Sequence, residues 1–322
     1  MLVGAEDAGG TLAAALRRRL PGKSWGEVRR LCATGKVRLD QELVLDPAAR
    51  IASGQTIAID VTAPRPRQSL PGFRIVFEDG HLVVIEKPSG VSSVPFERKE
   101  TGTAMDLVRA AWRQVGKRAT ATPLYVVHRI DKDTSGLICF AKTRLAERAL
   151  HGVFQRHEAD RFYLAVAEGE VPALRIESRL VADRGDGIRG STRRAGEGQR
   201  AVTHVEPLRQ LHGARQGKEI GRAVPALATL CRGRLESGRT HQIRIHLAER
   251  GHPIVGETVY VRDLLRDGGA PLPSPRLLLH AARLGFPHPV TGAPLAWRSA
   301  PPPDYTAVLA SYGGSPSDCD DA

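Results

Sequence analysis

Apolar and polar positions change period several times along the 322-residue chain. Leu12, Ala15 and Leu16 recur at helical spacing, and Ser24-Trp25-Gly26-Glu27 is a capping box that opens a second helix with Val28 and Leu31 turned inward. Val37 with Leu39, and Ile57 with Ile59, alternate as short strands. A small amino-terminal α/β module is therefore expected over residues 1–62. Residues 63–72 contain Pro64, Pro66 and Pro71 and almost no apolar periodicity, the composition of a semi-extended linker. Residues 73–312 read as a second, larger domain, and the small, acidic stretch 313–322 as a disordered tail. Residues 184–222 are rich in glycine and arginine, with Ala201 to His204 as the main strand-like piece, so a loop-rich excursion is expected there.

Two segments concentrate residues that carry chemistry. Val126, Val127 and Ile130 close one apolar strand and Leu137 to Phe140 open another, leaving Asp131 in a polar loop at the rim of a core. Thr134 and Ser135 can hydrogen-bond backbone groups in that loop, and Gly136 permits a φ or a close approach that other residues resist. A loop aspartate alone more often makes a turn or a cap. Farther on, Thr240 is a plausible helix cap, Ile243 and Leu247 lie one turn apart, and Gly251 is a C-terminal stop, which puts Arg239 just before a helix start. Between these segments, Arg161 to Val166 alternates as a strand with Phe162, Leu164 and Val166 on one face and Tyr163 on the other.

Charge narrows the partners. With 47 Lys+Arg against 35 Asp+Glu, a net charge of +12 and a pI near 10.1, the chain is drawn to polyanions, nucleic acid first. Cys32, Cys139, Cys231 and Cys319 are scattered and form no Cys-x-x-Cys pair, which suits a reducing cytoplasm. The amino terminus lacks a basic region followed by an apolar core, and no run approaches membrane-spanning length, so neither export nor a membrane is expected.

Six motifs follow one another along the chain: Val84-Ile85-Glu86-Lys87-Pro88-Ser89-Gly90, His128-Arg129-Ile130-Asp131 with Thr134-Ser135-Gly136, Arg161-Phe162-Tyr163-Leu164-Ala165, Gly238-Arg239-Thr240-His241-Gln242-Ile243-Arg244, Gly256-Glu257-Thr258-Val259-Tyr260 and Leu279-His280-Ala281. In this order, over roughly Phe73 to Pro303, they resemble the motifs of RluA-type pseudouridine synthases. Ile130, Arg161, Ser237 and Glu257 depart from the usual leucine, lysine, threonine and aspartate.

The resemblance implies an α+β catalytic domain with a mixed, largely antiparallel sheet, flanking helices and a central RNA cleft. It also implies isomerisation of uridine to pseudouridine within RNA, without cofactor or metal. Asp131 is then the essential carboxylate, as nucleophile or as base toward a sugar proton, Arg239 its ion-pair partner, and Tyr163 a ring to pack on uracil. Arg129, two residues before Asp131, is well placed to enter the stack vacated by a flipped nucleotide; His128 and Lys132 could contact phosphate, although a histidine in such a setting is more often a satisfied structural residue than a catalyst. The motif around Lys87 would shape the pocket without Lys87 being catalytic.

The amino-terminal pattern, with Gly35-Lys36-Val37-Arg38 and Gly54-Gln55-Thr56-Ile57, resembles an αL-type RNA-binding module of a small-subunit ribosomal protein. Trp25-Gly26 and Asp40-Gln41 depart from it. Arg17, Arg18, Arg19, Arg29, Arg30, Lys36 and Arg38 could form a phosphate-tracking face. Ribosomal RNA is the first expected partner, transfer RNA the second, and the enzyme is expected as a monomer. A binding-only protein and a base-releasing N-glycosidase are the rivals; the latter commonly uses two carboxylates where these motifs supply one.

Overall fold

The computed structural model describes residues 1–44, 46–63, 72–95, 100–115, 122–213 and 227–320. The chain divides into two compact units, Met1–Ser69 and Leu70–Ala322. Most of the expected linker falls outside the described residues.

In the first unit, α1 (Leu12–Arg19) is capped by Thr11 and α2 (Trp25–Ala33) by the reciprocal Ser24/Glu27 box. Both pack on a three-stranded antiparallel sheet of β1 (Val37–Leu39), β2 (Glu42–Leu43) and β3 (Ile57–Ile59). Leu12, Leu16, Val28, Cys32, Val37 and Ile57 fill the core. Asp40 and Gln41, between β1 and β2, both adopt left-handed φ values, 49° and 70°. Such a hairpin turn favours Asn-Gly. Here the Asp40 carboxylate accepts from Thr56 N (2.7 Å) and Gln55 Nε2 (2.9 Å), bonds that offset the backbone strain.

The second unit is built on an eleven-stranded sheet. Its strands are β4 (Arg74–Glu78), β5 (Leu82–Lys87), β6 (Tyr125–Val126), β7 (Ser135–Ala141), β8 (Asp160–Glu168), β9 (Leu174–Val181), β10 (Gly190–Ser191), β11 (Gln199–Leu211), β12 (Ala228–Leu235), β13 (Leu279–Pro287) and β14 (Pro294–Arg298). Its helices are α3 (Ala104–Gln114), α4 (Arg144–Gln155), α5 (Gln242–Ala248), α6 (Arg262–Arg266) and α7 (Pro303–Ser311). The spatial order is β10-β9-β11-β12-β8-β13-β7-β5-β4, with β14 paired to β13 and β6 to β7.

Alternation along β5 and β7 explains how one ladder serves two layers. Leu82, Val84, Leu137 and Cys139 meet Ala146, Leu150 and Val153 of α4, while Val83, Ile85, Ile138 and Phe140 join the cluster that holds Val108 and Trp112 of α3. Each such side chain contributes about 1.5–3 kcal/mol on burial. The pairing of β13 with β7 is parallel, His280 opposite Ser135 and Ala281 opposite Gly136; the other pairings are antiparallel. Gly136 has φ +110°, and a Cβ there would lie 2.3 Å from the Ala281 carbonyl oxygen. The glycine is thus required at once by conformation and by approach.

Two expectations are corrected. Residues 199–211 form one long strand paired on both sides, with β9 and β12, rather than part of a loop-rich excursion. Exposed polar ends and a register shift between Pro207 and Arg209 hide its alternation. Residues 214–222 of that stretch lie outside the described residues. The tail is ordered through Asp320: Pro316–Cys319 is a 3-10 turn, Cys319 is buried, and Asp318 accepts from Ser315 N (2.6 Å) and pairs with Arg209. Among the described residues no helix is long and apolar enough to cross a membrane.

Candidate active site

Asp131 lies in the connection from β6 to β7, and the preceding Lys87-to-Ser93 segment fixes that connection from outside. The Lys87 ammonium donates to the Lys132 carbonyl (2.9 Å) and to those of Pro88 (2.9 Å) and Val91 (2.6 Å). Ser89 Oγ donates to the Asp133 carbonyl (2.7 Å); Ser93 Oγ donates to the Ile130 carbonyl (2.6 Å) and accepts from Ile130 N (3.2 Å). Burial lowers the Lys87 pKa to about 7 even though the charges of Asp131 and Asp133 act the other way. Three carbonyl acceptors match the three donors of an ammonium. The lysine therefore positions the loop, and the Lys87 motif acquires a physical meaning.

The buried cation beside Asp131 is Arg244. Its Nη1 lies 3.8 Å from Asp131 Oδ2, while Nε and Nη2 donate to the two oxygens of Glu257 at 2.7 Å each. The Arg244 and Glu257 side chains are 4% and 0% exposed, and that of Asp131 is 21% exposed. Glu257 Oε1 also accepts from the backbone N–H groups of Thr258, Val259 and Tyr260 (3.0, 2.9 and 3.4 Å). The Arg244 guanidinium and these N–H groups hold the Glu257 carboxyl below its usual range against burial, which acts the other way. The result is a fixed Glu257–Arg244 fork with one cationic edge toward Asp131.

Entry into α5 sets that edge. The N-cap is His241 in a left-handed conformation (φ 56°), without a side-chain cap bond, so the expected Thr240 cap is corrected. Gln242 instead ties the turn down: its Oε1 accepts from Ser237 Oγ (2.8 Å) and Arg239 N (3.0 Å), and its Nε2 donates to Val202 O (3.0 Å) and Thr203 Oγ1 (2.9 Å). His241 Nδ1 sits 2.7 Å from the Tyr260 hydroxyl, and the Arg244 guanidinium lies 5.4 Å from the Tyr260 ring centre.

This geometry corrects the expected Arg239–Asp131 pair. Arg239 Nε donates to the Arg200 carbonyl (3.2 Å), and among the described residues the ion pair of Asp131 is with Arg244. The resemblance pointed to the motif, and of its two arginines it is Arg244, not Arg239, that stands at the carboxylate. The doubly bonded Glu257 in Gly256-Glu257 was the overlooked signal, since a second buried carboxylate needs a cation.

Tyr163 lies on central strand β8, 8% exposed, opposite Gly233 of β12 and Ala281 of β13. The face expected to turn away from the core is itself covered, because Ile243 of α5 approaches within 3.5 Å of where a Gly233 Cβ would stand. Burial raises the Tyr163 phenol pKa, Arg161 lowers it, and the Asp131 charge raises it, so phenol and carboxylate share one electrostatic site.

His128 is corrected from a phosphate contact to a structural residue. Its Nε2 accepts from Cys139 N (3.0 Å), its ring stacks on Phe154 at 4.5 Å, and burial lowers its pKa to about 3. Arg129 and Lys132 flank Asp131 and are exposed. Ser135 Oγ meets side chains, His280 Nδ1 (2.9 Å) and Arg276 Nη2 (2.8 Å), and Thr134 Oγ1 is buried without a hydrogen-bond partner among the described residues. In the first unit, Arg29 and Arg30 are exposed and Arg17 is half-buried. Arg18 pairs with buried Asp7, as does Arg19; Lys36 donates to the Ala63 carbonyl and Arg38 to that of Gln41 (2.8 Å).

Residues 81–249, which span the Asp131 loop, Tyr163 and Arg244, match the RNA pseudouridylate synthase family. The chain belongs to that family. It is a pseudouridine synthase, an isomerase that acts on RNA. It is 34% identical to ribosomal large subunit pseudouridine synthase D of Zymomonas mobilis over 296 residues, 88% of this chain and 87% of that protein. It is 33% identical to tRNA pseudouridine synthase C of Pectobacterium carotovorum over 252 residues, 75% and 62% of the two chains. Among solved structures, human RNA pseudouridylate synthase domain containing 1 shares the fold, with a TM-score of 0.53 at 20% identity over 76% of this chain and 90% of that one.

Proposed function

We propose that this enzyme converts specific uridines of structured RNA to pseudouridine, with large-subunit ribosomal RNA as first substrate and transfer RNA as second, and that Asp131 is its essential carboxylate. The observation that carries the reading is the partly exposed Asp131 at the tip of a clamped loop, 3.8 Å from the buried Arg244–Glu257 fork. Relatives named for ribosomal RNA and for transfer RNA support the substrate order. In the reaction the bond from ribose to the ring nitrogen breaks, the uracil turns while bound, and a ring carbon joins the same sugar; that carbon gives up its proton and the freed nitrogen takes one, so atoms and electrons balance without an external oxidant or reductant.

Arg244 takes the role first expected of Arg239: its cationic edge pairs with the carboxylate and orients it for either a nucleophilic or a proton-abstracting step. Tyr163 presents a ring for the uracil to pack on, and its phenol, buried near Asp131, can pass a proton. Exposed Arg129 fills the space of the flipped nucleotide and Lys132 meets an adjacent phosphate. The first unit adds phosphate contacts through Arg17, Arg29, Arg30 and Arg38 and raises affinity as a tether. The four buried, free thiols suit a reducing compartment such as the cytoplasm.

The test maps pseudouridines in ribosomal and transfer RNA from cells with and without the gene, complemented by wild type or Asp131→Asn. Loss of one or a few sites, restored by wild type alone, is expected. Unchanged maps, or restoration by a folded Asp131→Asn enzyme, would reject the assignment.

A further inference from the structure

A second group of cations lies beside the Asp131 site with too few carboxylates to balance it. Arg161, two residues before Tyr163 on β8, is only 7% exposed, yet its Nε and Nη2 have no hydrogen-bond partner among the described residues. Its guanidinium stacks on Phe154 at 5.6 Å, and its Nη1 reaches the back of Gly238, where a Cβ would stand 2.4 Å away. Gly238 is itself exposed, so its missing side chain opens that edge of the guanidinium toward the surface. The next residue, Arg239, is half-buried and bonded to the Arg200 carbonyl, which fastens it to the same turn.

Arg200 is exposed, and exposed His157, held in a left-handed conformation (φ 62°) just after α4, lies within the field of Arg161, Arg239 and Arg200. The acids nearby are already taken: Glu177 by Arg200 and Arg175, Glu236 by His204 at 2.6 Å. Burial depresses the Arg161 pKa and Arg239 adds to the depression, while Tyr163 acts against it. A buried guanidinium left without an anion is a costly arrangement unless something outside the chain supplies the anion.

We propose that Arg161, Arg239 and Arg200 form a phosphate site around Gly238 that seats a backbone phosphate of the substrate RNA beside the nucleotide entering the Asp131 pocket. Arg239 and Arg200 contact the phosphate. Arg161, approached through the opening at Gly238, supplies charge from behind. The site gives Arg239 a use other than pairing with Asp131, and it rests on the RNA pseudouridine synthase reading.

The experiment measures binding of a single-stranded twenty-nucleotide oligouridylate and of deproteinised ribosomal RNA at several salt concentrations, with pseudouridine formation followed on the ribosomal RNA. Arg239→Gln should weaken binding about tenfold and reduce the slope of log affinity against log salt by about 0.7 to 0.9, the share of one phosphate. Gly238→Ala should reproduce the weaker binding, since its Cβ closes the opening. Arg161→Met, which removes an unpaired buried charge but keeps contact with Phe154, should weaken binding while raising Tm by about 2–4 °C. Arg239→Lys should keep the salt slope.

Wild-type affinity and slope in Arg239→Gln and Gly238→Ala would overturn the site, as would a lower Tm in Arg161→Met. Binding is read on the oligouridylate independently of turnover. Failure to make pseudouridine in any RNA would therefore count against the enzymatic reading, while an unchanged salt slope counts against the phosphate site.

Discussion

Arg244→Met separates the two arginines that share a motif. At 3.8 Å and an effective dielectric near 20, the attraction between Arg244 and Asp131 is about 4 kcal/mol. Partial exposure of Asp131 reduces this to roughly 2–4 kcal/mol, equivalent to about 30- to 1,000-fold in rate. Stability should fall too, because removal of one partner leaves Glu257 as a buried charge, a loss of about 3–5 kcal/mol. The three backbone N–H groups that remain on Glu257 favour the lower figure, a Tm drop of about 6–12 °C at 2–4 °C per kcal/mol. Arg244→Met/Glu257→Gln removes both charges, so much of the stability should return while the rate stays low. Single-turnover pseudouridine formation at saturating enzyme, below the melting transition, is the assay, with thermal melts alongside. A near-normal rate in folded Arg244→Met, with the loss appearing in Arg239→Met instead, would refute the assignment.

Gly136→Ala should destabilise the second unit by about 3 kcal/mol or more, read as a lower urea midpoint, because backbone rather than a flexible side chain stands 2.3 Å from the new Cβ. A midpoint within error of wild type would mean that β7 and β13 separate freely there. Buried His128 has its folded pKa lowered to about 3, so between pH 6.5 and 3 the unfolded chain binds more protons and stability falls as pH falls. His246 and His280, each lowered to about 4, act in the same direction. His128→Gln should reduce the slope of unfolding free energy against pH by roughly 1 kcal/mol per unit between pH 6 and 4, and an unaltered slope would place the acid sensitivity elsewhere. Deletion of residues 1–62 should weaken RNA binding and flatten its salt dependence while bound uridine is still converted; a collapsed single-turnover rate with unchanged affinity would make the first unit part of the pocket.

Local chemistry was the legible part of the sequence. The Ser24 capping box and the alternation of Val37 and Leu39 each depend on a few neighbouring residues, and the structure has both; the glycine at 136 was legible as a turn residue, while the approach of the Ala281 backbone that also requires it was not. What escaped depends on partners far along the chain. Arg239 and Arg244 are equally cationic, and only a left-handed residue at 241 and the carboxylate of Glu257 decide which one faces Asp131. His128 carries no sign in sequence that a backbone N–H eleven residues later will occupy its ring. The tail reads as disordered because its composition is small and polar, yet a single buried cysteine and the Arg209–Asp318 pair anchor it. Strand β11 was shortened in the same way, since its polar ends are ordered by neighbours rather than by their own pattern.

The position of β13 has a consequence for when the enzyme becomes active. In the sheet it lies between β7, which follows the Asp131 loop, and β8, which carries Tyr163, although it is made more than a hundred residues after either. Until Leu279–Pro287 has left the ribosome, β4, β5 and β7 can form one small sheet and β8 to β12 another, but no strand joins them. A nascent chain therefore holds both halves of its catalytic site as separate pieces. Insertion of that late strand brings the Asp131 loop and Tyr163 into one sheet, so the site is complete only once β13 has been made.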